Sequence, residues 1–185
     1  MVVLKFSNKN TIAIILRMAD TNVDALLQEA TSWPLEKRIA HSNWKVRSHA
    51  FESISEQMCS IRDSITMDTL GPLRERVESI VDGNVLGYQL AKAVGDPNAN
   101  VMDKALDAYC DYIDVLGRLI FWSEERSSVL EKQSELCMGQ LTSKCLKASK
   151  KSTVQKSIAV CMMLIEVEQG YAVLNPIVEG GFTHK

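Results

Sequence analysis

Apolar residues recur at three- and four-residue spacing from Asp20 onward, the period of helices with one buried face. Val23, Leu26, Leu27 and Ala30 form a first stripe, with Asp20 or Thr21 placed to cap it. "TSWPLEKRIA" restarts a helix, with Ser32 as the expected cap and Pro34 in the first turn. After Trp44 one face carries Ala50, Phe51, Ile54, Met58 and Ile61. Gly71-Pro72 breaks the pattern. A helix is expected from about Leu73 to Val94, either continuous or interrupted near Gly83, and closed by the turn-forming "GDPNAN". The next face holds Met102, Ala105, Leu106, Tyr109, Tyr112, Ile113 and Leu116. "GRLIFWSEERSS" then leads to a helix spanning about Ser128 to Leu146. Beyond the polar "KASKKS", the segment "TVQKSIAVCMMLIEVEQ" aligns Val154, Ile158, Cys161 and Ile165. It is apolar almost all round between Ile158 and Val167, so neighbours are expected on several sides. No segment alternates as a half-buried strand does.

The unit is therefore helix, short polar loop, helix. Its loops fall at Ser42–Asn43, Asp96–Asn100 and Lys147–Ser152, roughly 50–55 residues apart, near the ~40–47-residue period of stacked helical hairpins. The fold class is all-α: an α-solenoid of about three stacked helical hairpins. In such a stack, loops on one edge line up as a ridge, and residues distant in sequence share one surface.

Composition narrows the picture. The chain has 185 residues, 46% of them hydrophobic and 24% charged, which suits one globular domain or part of one. Its net charge of −2 gives no basic field of the kind nucleic-acid binders carry. The N-terminal apolar run Ile12 to Leu16 is too short for a secretory h-region or a membrane span, which gives a cytosolic reading. Residues 1–19 differ in pattern from the rest of the chain and are read as a leader, with the domain covering 20–185. The five cysteines have no paired zinc spacing and read as buried reduced thiols. No Gly-rich phosphate loop occurs, and His41 and His49 enclose no H-E-x-x-H. No enzyme activity, cofactor or metal is expected.

Candidate chemistry concentrates in the loops. The first offers Asn43, Trp44 and Lys45; the second Asp96, Pro97, Asn98, Ala99, Asn100 and Val101; the third Lys147, Lys150, Lys151 and Thr153. Lys144, Lys147, Lys150, Lys151 and Lys156 surround the third, and no Asp or Glu occurs between Glu135 and Glu166. Trp44 either packs back on the preceding helix or stands out as an anchor, whereas Trp33 and Trp122 are read as packing residues. An aromatic anchor, amide hydrogen-bonders and a positive end on one edge suit a protein-binding surface for an acidic partner.

"PLEKRIAHSNWKVRSHAFESI" resembles the opening of a TOG domain, at Pro34, Arg38, His41, Trp44, Lys45, Arg47, Ala50, Phe51 and Glu52. "DPNANVMDKALDAYCDYI" resembles the second repeat of such a domain. The stretch from "SKCLKASKKSTVQKS" onward resembles the third repeat and the start of the fourth. The similarity is to TOG-domain microtubule polymerases of the ch-TOG type, nearest a first TOG domain. It implies a flat paddle of six HEAT repeats whose intra-repeat loops bind the curved αβ-tubulin heterodimer at microtubule ends. It also implies that the first three loops face β-tubulin. By position, Trp44 and Lys45 are first-loop contacts, Asn98 and Val101 second-loop contacts, and Lys150 and Lys151 third-loop contacts. The family's cytoskeletal sites (microtubules, spindle, spindle pole or centrosome, kinetochore) are the expected location. Pro97 departs from the family's polar residue there. The chain stops where a fourth loop is expected, so a fragment, a truncated gene model or a short isoform is expected. The alternative function is a HEAT-repeat adaptor with no specificity for tubulin.

Overall fold

The structure, a computed structural model, describes residues 23–66, 68–69, 71, 85–120, 128–168, 174 and 177–178. Residues 23–30 are helical, followed by α1 (Leu35–Ile39), α2 (Trp44–Ser64), α3 (Val85–Ala93), α4 (Ala99–Ile120), α5 (Ser128–Gln140) and α6 (Lys151–Glu168). A single π-helical turn, Leu141–Cys145, continues α5. No strand occurs among the described residues. The leader 1–19, the caps Asp20 and Thr21, the expected helix before Val85, and Trp122 lie outside the described residues.

Helices α2, α4 and α6 pack side by side as one row, and α3 packs on α5 as a second. Contacts of α3 with α4 and of α5 with α6 join the rows, while α1 lies on α2. The second and third hairpins each contribute one helix to each row, which is the stacking that the loop spacing predicts. Because each hairpin is nearly a copy of the last, its cross-links recur at a fixed interval. Arg47 pairs with Asp96, Lys144 with Gly95, Ser152 with Asp103 and Lys156 with Asp107, all 49 residues apart.

The core runs between the rows. Phe51 and Ile54 of α2, Leu90 of α3, Leu106, Tyr109, Tyr112 and Ile113 of α4, and Val160 and Leu164 of α6 are all buried. The α2 and α4 stripes fall as their periodicity predicts, with Ile61 and Met102 at the half-buried margins. The Tyr112 hydroxyl donates to Gln133 Oε1 at 3.1 Å, which satisfies both groups inside the core.

Three expectations need correction. Ser32 does not cap α1. Its hydroxyl donates to Glu29 O at 2.7 Å, beside Thr31 donating to Gln28 O, so both close the preceding helix. Pro34 holds the cap position with no side-chain bond. Helix α6 begins at Lys151, not Thr153, and its buried face is turned from the expected stripe. Thr153, Ser157, Val160, Cys161 and Leu164 face inward, while Ile158 is 50% exposed. Hydroxyls at 153 and 157 can be buried because each has a partner: Thr153 donates to Asp103 Oδ1, and Ser157 to Thr153 O at 2.7 Å. Cys137, Cys145 and Cys161 are buried free thiols, but Cys59 and Cys110 are only half-buried.

Candidate functional site

The first two loops share one local design. In the first, Asn43 N–H donates to His41 Nδ1 at 3.0 Å, and Asn43 Oδ1 accepts from Lys45 N–H at 2.9 Å, capping α2. In the second, Asn98 N–H donates to Asp96 Oδ1 at 2.8 Å. Asn98 Oδ1 accepts from Asn100 N–H at 3.0 Å and Val101 N–H at 3.3 Å, capping α4. His41 and Asp96 thus play one part, each accepting an amide two residues on. Pro97 fits this turn, because Asp96 takes the N–H of Asn98 and needs none from position 97.

Arg47 clamps the two loops together. Its Nε and Nη2 reach Asp96 Oδ2 and Oδ1 at 2.9 and 3.0 Å, a two-pronged carboxylate pair. Its Nη1 also donates to His41 O at 2.8 Å and Ser42 O at 3.0 Å. One guanidinium therefore fixes the backbone before Trp44 and the acid before Asn98.

The third loop joins the second through lysines and hydroxyls. Lys144 Nζ donates to Gly95 O at 2.9 Å. Asp103 of α4, 7% exposed, receives Lys150 Nζ on Oδ2 at 2.6 Å, Ser152 Oγ on Oδ2 at 3.1 Å, and Thr153 Oγ1 on Oδ1. Burial works to raise the Asp103 carboxyl, but the bonds from Lys150, Thr153 and Ser152 outweigh it and hold it below the usual carboxylate range. Helix α6 has no acid in its own first turn, so the neighbouring repeat supplies the negative charge at its N-terminus.

The expected site residues separate into groups. Trp44, at the first position of α2, is 37% exposed and stands on the ridge. Lys45 beside it is half-buried. Asn98 is half-buried and commits its side-chain oxygen to the α4 cap. Val101, the other expected second-loop contact, is 0% exposed, and its side chain belongs to the core. Lys150 is exposed but ion-paired to Asp103, whereas Lys151 is exposed and has no ion pair among the described residues. The positive patch is smaller than the sequence suggests, because Lys144, Lys150 and Lys156 are turned to repeat two. Sequence reasoning did not single out Arg47–Asp96 or Asp103; their one signal is opposite charge, or carboxylate and hydroxyl, about one repeat apart.

Elsewhere, burial pushes the Cys110 thiol up to about 12, with Asp111 and Asp107 adding to it, and burial pushes Cys161 to about 11. Both are thiols at neutral pH. Among the described residues, no group of three or more His, Cys, Asp or Glu is placed to hold a metal, and no helix is long and apolar enough to cross a membrane.

Comparison with known proteins places most of the chain in one family. The sequence model of the XMAP215/Dis1/CLASP TOG domain matches residues 29–185. Protein MOR1 of Arabidopsis thaliana is 32% identical over 148 residues, which are 80% of this chain and 6% of that protein. Protein mini spindles of Drosophila melanogaster is 24% identical over 147 residues, 80% of this chain and 6% of that protein. Spindle pole body component alp14 of Schizosaccharomyces pombe is 25% identical over 154 residues, 82% of this chain and 16% of that protein. The chain therefore spans a small part of the length of the curated relatives it matches. No solved structure matches significantly.

Proposed function

The chain belongs to the XMAP215/Dis1/CLASP TOG-domain family, and on that premise we propose that its loop edge binds αβ-tubulin, on the β-tubulin side, without chemistry of its own. The observation that carries the reading is Trp44: a large aromatic held 37% exposed at a helix start, on a loop that Arg47 clamps to the next. A rigidly presented aromatic is the kind of side chain that dominates an interface, and rim lysines steer an acidic surface toward it. The names of two relatives, mini spindles and spindle pole body component, support a place on the spindle or another microtubule structure. No nucleic-acid or membrane partner enters this reading.

The test is interferometry of the 185-residue chain with unpolymerised tubulin. Trp44→Ala is expected to weaken binding by roughly 2 kcal/mol, about 30-fold, as a hot-spot aromatic does. Equal binding by both proteins rules out the anchor. Binding that ignores Trp44 and the third-loop lysines alike points to an adaptor using another face.

A further inference from the structure

We propose that Asp103 decides which lysine of the third loop meets the partner: it holds Lys150 within the fold and leaves Lys151, with Lys147, to present the positive charge. The partner in this inference rests on the tubulin reading above; the Asp103–Lys150 geometry stands without it.

Asp103 is buried on α4 and must be satisfied there. The third repeat supplies its carboxylate with three donors: Lys150 Nζ at 2.6 Å and Ser152 Oγ at 3.1 Å on Oδ2, and Thr153 Oγ1 on Oδ1. Lys156 reinforces the docking from one turn further along α6, donating to Asp103 O at 3.3 Å and pairing with Asp107 Oδ2 at 2.5 Å. An acidic surface reaching for Lys150 therefore competes with a carboxylate already in place. Drawing Lys150 away leaves that buried carboxylate without its cation, an unfavourable exchange.

Lys151 is the next residue and meets the opposite situation. It is the first residue of α6, exposed, and has no ion pair among the described residues; the same holds for exposed Lys147. An anionic side chain on a partner meets no carboxylate among the described residues already paired with either. By sequence Lys147, Lys150 and Lys151 are interchangeable members of one basic loop. Asp103, about one repeat away, makes them unequal and narrows this loop's outward charge to two positions.

The first readout needs no partner. The 185-residue chain is treated with limiting N-hydroxysuccinimidyl acetate and its peptides are quantified by mass spectrometry. Lys150 is expected to be acetylated several-fold more slowly than Lys151 or Lys147, and Asp103→Asn to bring it to their rate. The second readout is tubulin affinity. Lys150→Gln is expected to leave it within about twofold, and Lys151→Gln to weaken it about fivefold. In the Asp103→Asn background, Lys150→Gln is expected to cost as much as Lys151→Gln. Should Asp103→Asn fail to fold, the two lysine substitutions, both at exposed positions, still decide the matter. Equal acetylation of Lys150 and Lys151 in the wild type, or equal losses from the two substitutions, overturns the proposal. A wild-type chain that does not bind tubulin overturns the functional reading and the partner named here. The acetylation pattern then separately upholds or overturns the Asp103–Lys150 pair.

Discussion

Trp44 and Val46 lie two residues apart and meet opposite fates, 37% and 0% exposed, because the first turn of α2 points one outward and the other at the core. Arg47 fixes the backbone that leads into Trp44, through the carbonyls of His41 and Ser42. With Asp96 10% exposed and its own side chain 15% exposed, this pair is largely out of water. Arg47→Ala strands the Asp96 carboxylate and releases the carbonyls of His41 and Ser42. A loss of about 3 kcal/mol in urea unfolding is expected. Arg47→Lys recovers only part of it, since an ammonium cannot make the two-pronged contact. Trp44 and Lys151 were legible as exposed loop residues. Val101 was legible too, as a core residue: it sits four before Ala105 and five before Leu106, on the stripe that α4 buries. Its position in a loop pattern concealed what its spacing displayed. Lys150 was not legible, because the acid that engages it is about a repeat away along the chain.

Helices α2 and α4 bury the faces their apolar spacing predicts, and α6 does not. Both facts have one cause. In α2 the buried residues are apolar, and in α4 all are but Asp103, so spacing reports burial. In α6 the inward residues include Thr153 and Ser157, whose hydroxyls are satisfied there, and Ile158 and Met162 are left 50% and 53% exposed. Hydropathy cannot distinguish a satisfied buried hydroxyl from a solvated one. A similar blindness applies to Gly87 on α3, which in sequence only weakens a helix. A Cβ there would lie 2.4 Å from the Gln133 side-chain amide, the group that accepts the Tyr112 hydroxyl. Gly87→Ala gains about 1 kcal/mol of helix propensity. The amide ends a flexible side chain and can move aside, but moving it orphans the buried Tyr112 hydroxyl, at about 1–3 kcal/mol. A net destabilisation of about 1 kcal/mol is expected from the urea midpoint, the reverse of what propensity alone predicts.

Across the whole molecule, repeats are joined by apolar packing and by a ladder of charges spaced one repeat apart. The rung at Asp103 makes the stack sensitive to acid. Its folded carboxyl titrates below the ordinary value of about 3.9, so the folded state binds fewer protons than the unfolded chain in that window. The stability it contributes is complete above the ordinary carboxylate range and is lost as pH falls through the folded value. Unfolding by urea at stepped pH is expected to show a shallower acid limb in Asp103→Asn than in the wild type. The sequence by itself determined the all-α class, the hairpin period, the loops on one edge and the family resemblance. Those depend on local spacing and turn chemistry, which a linear reading contains. Only the tertiary structure decided which face of α6 is buried, which lysines remain outward and which guanidinium fixes the backbone before Trp44. Each of those depends on a partner roughly fifty residues away, brought within hydrogen-bonding distance only when one repeat stacks on the next.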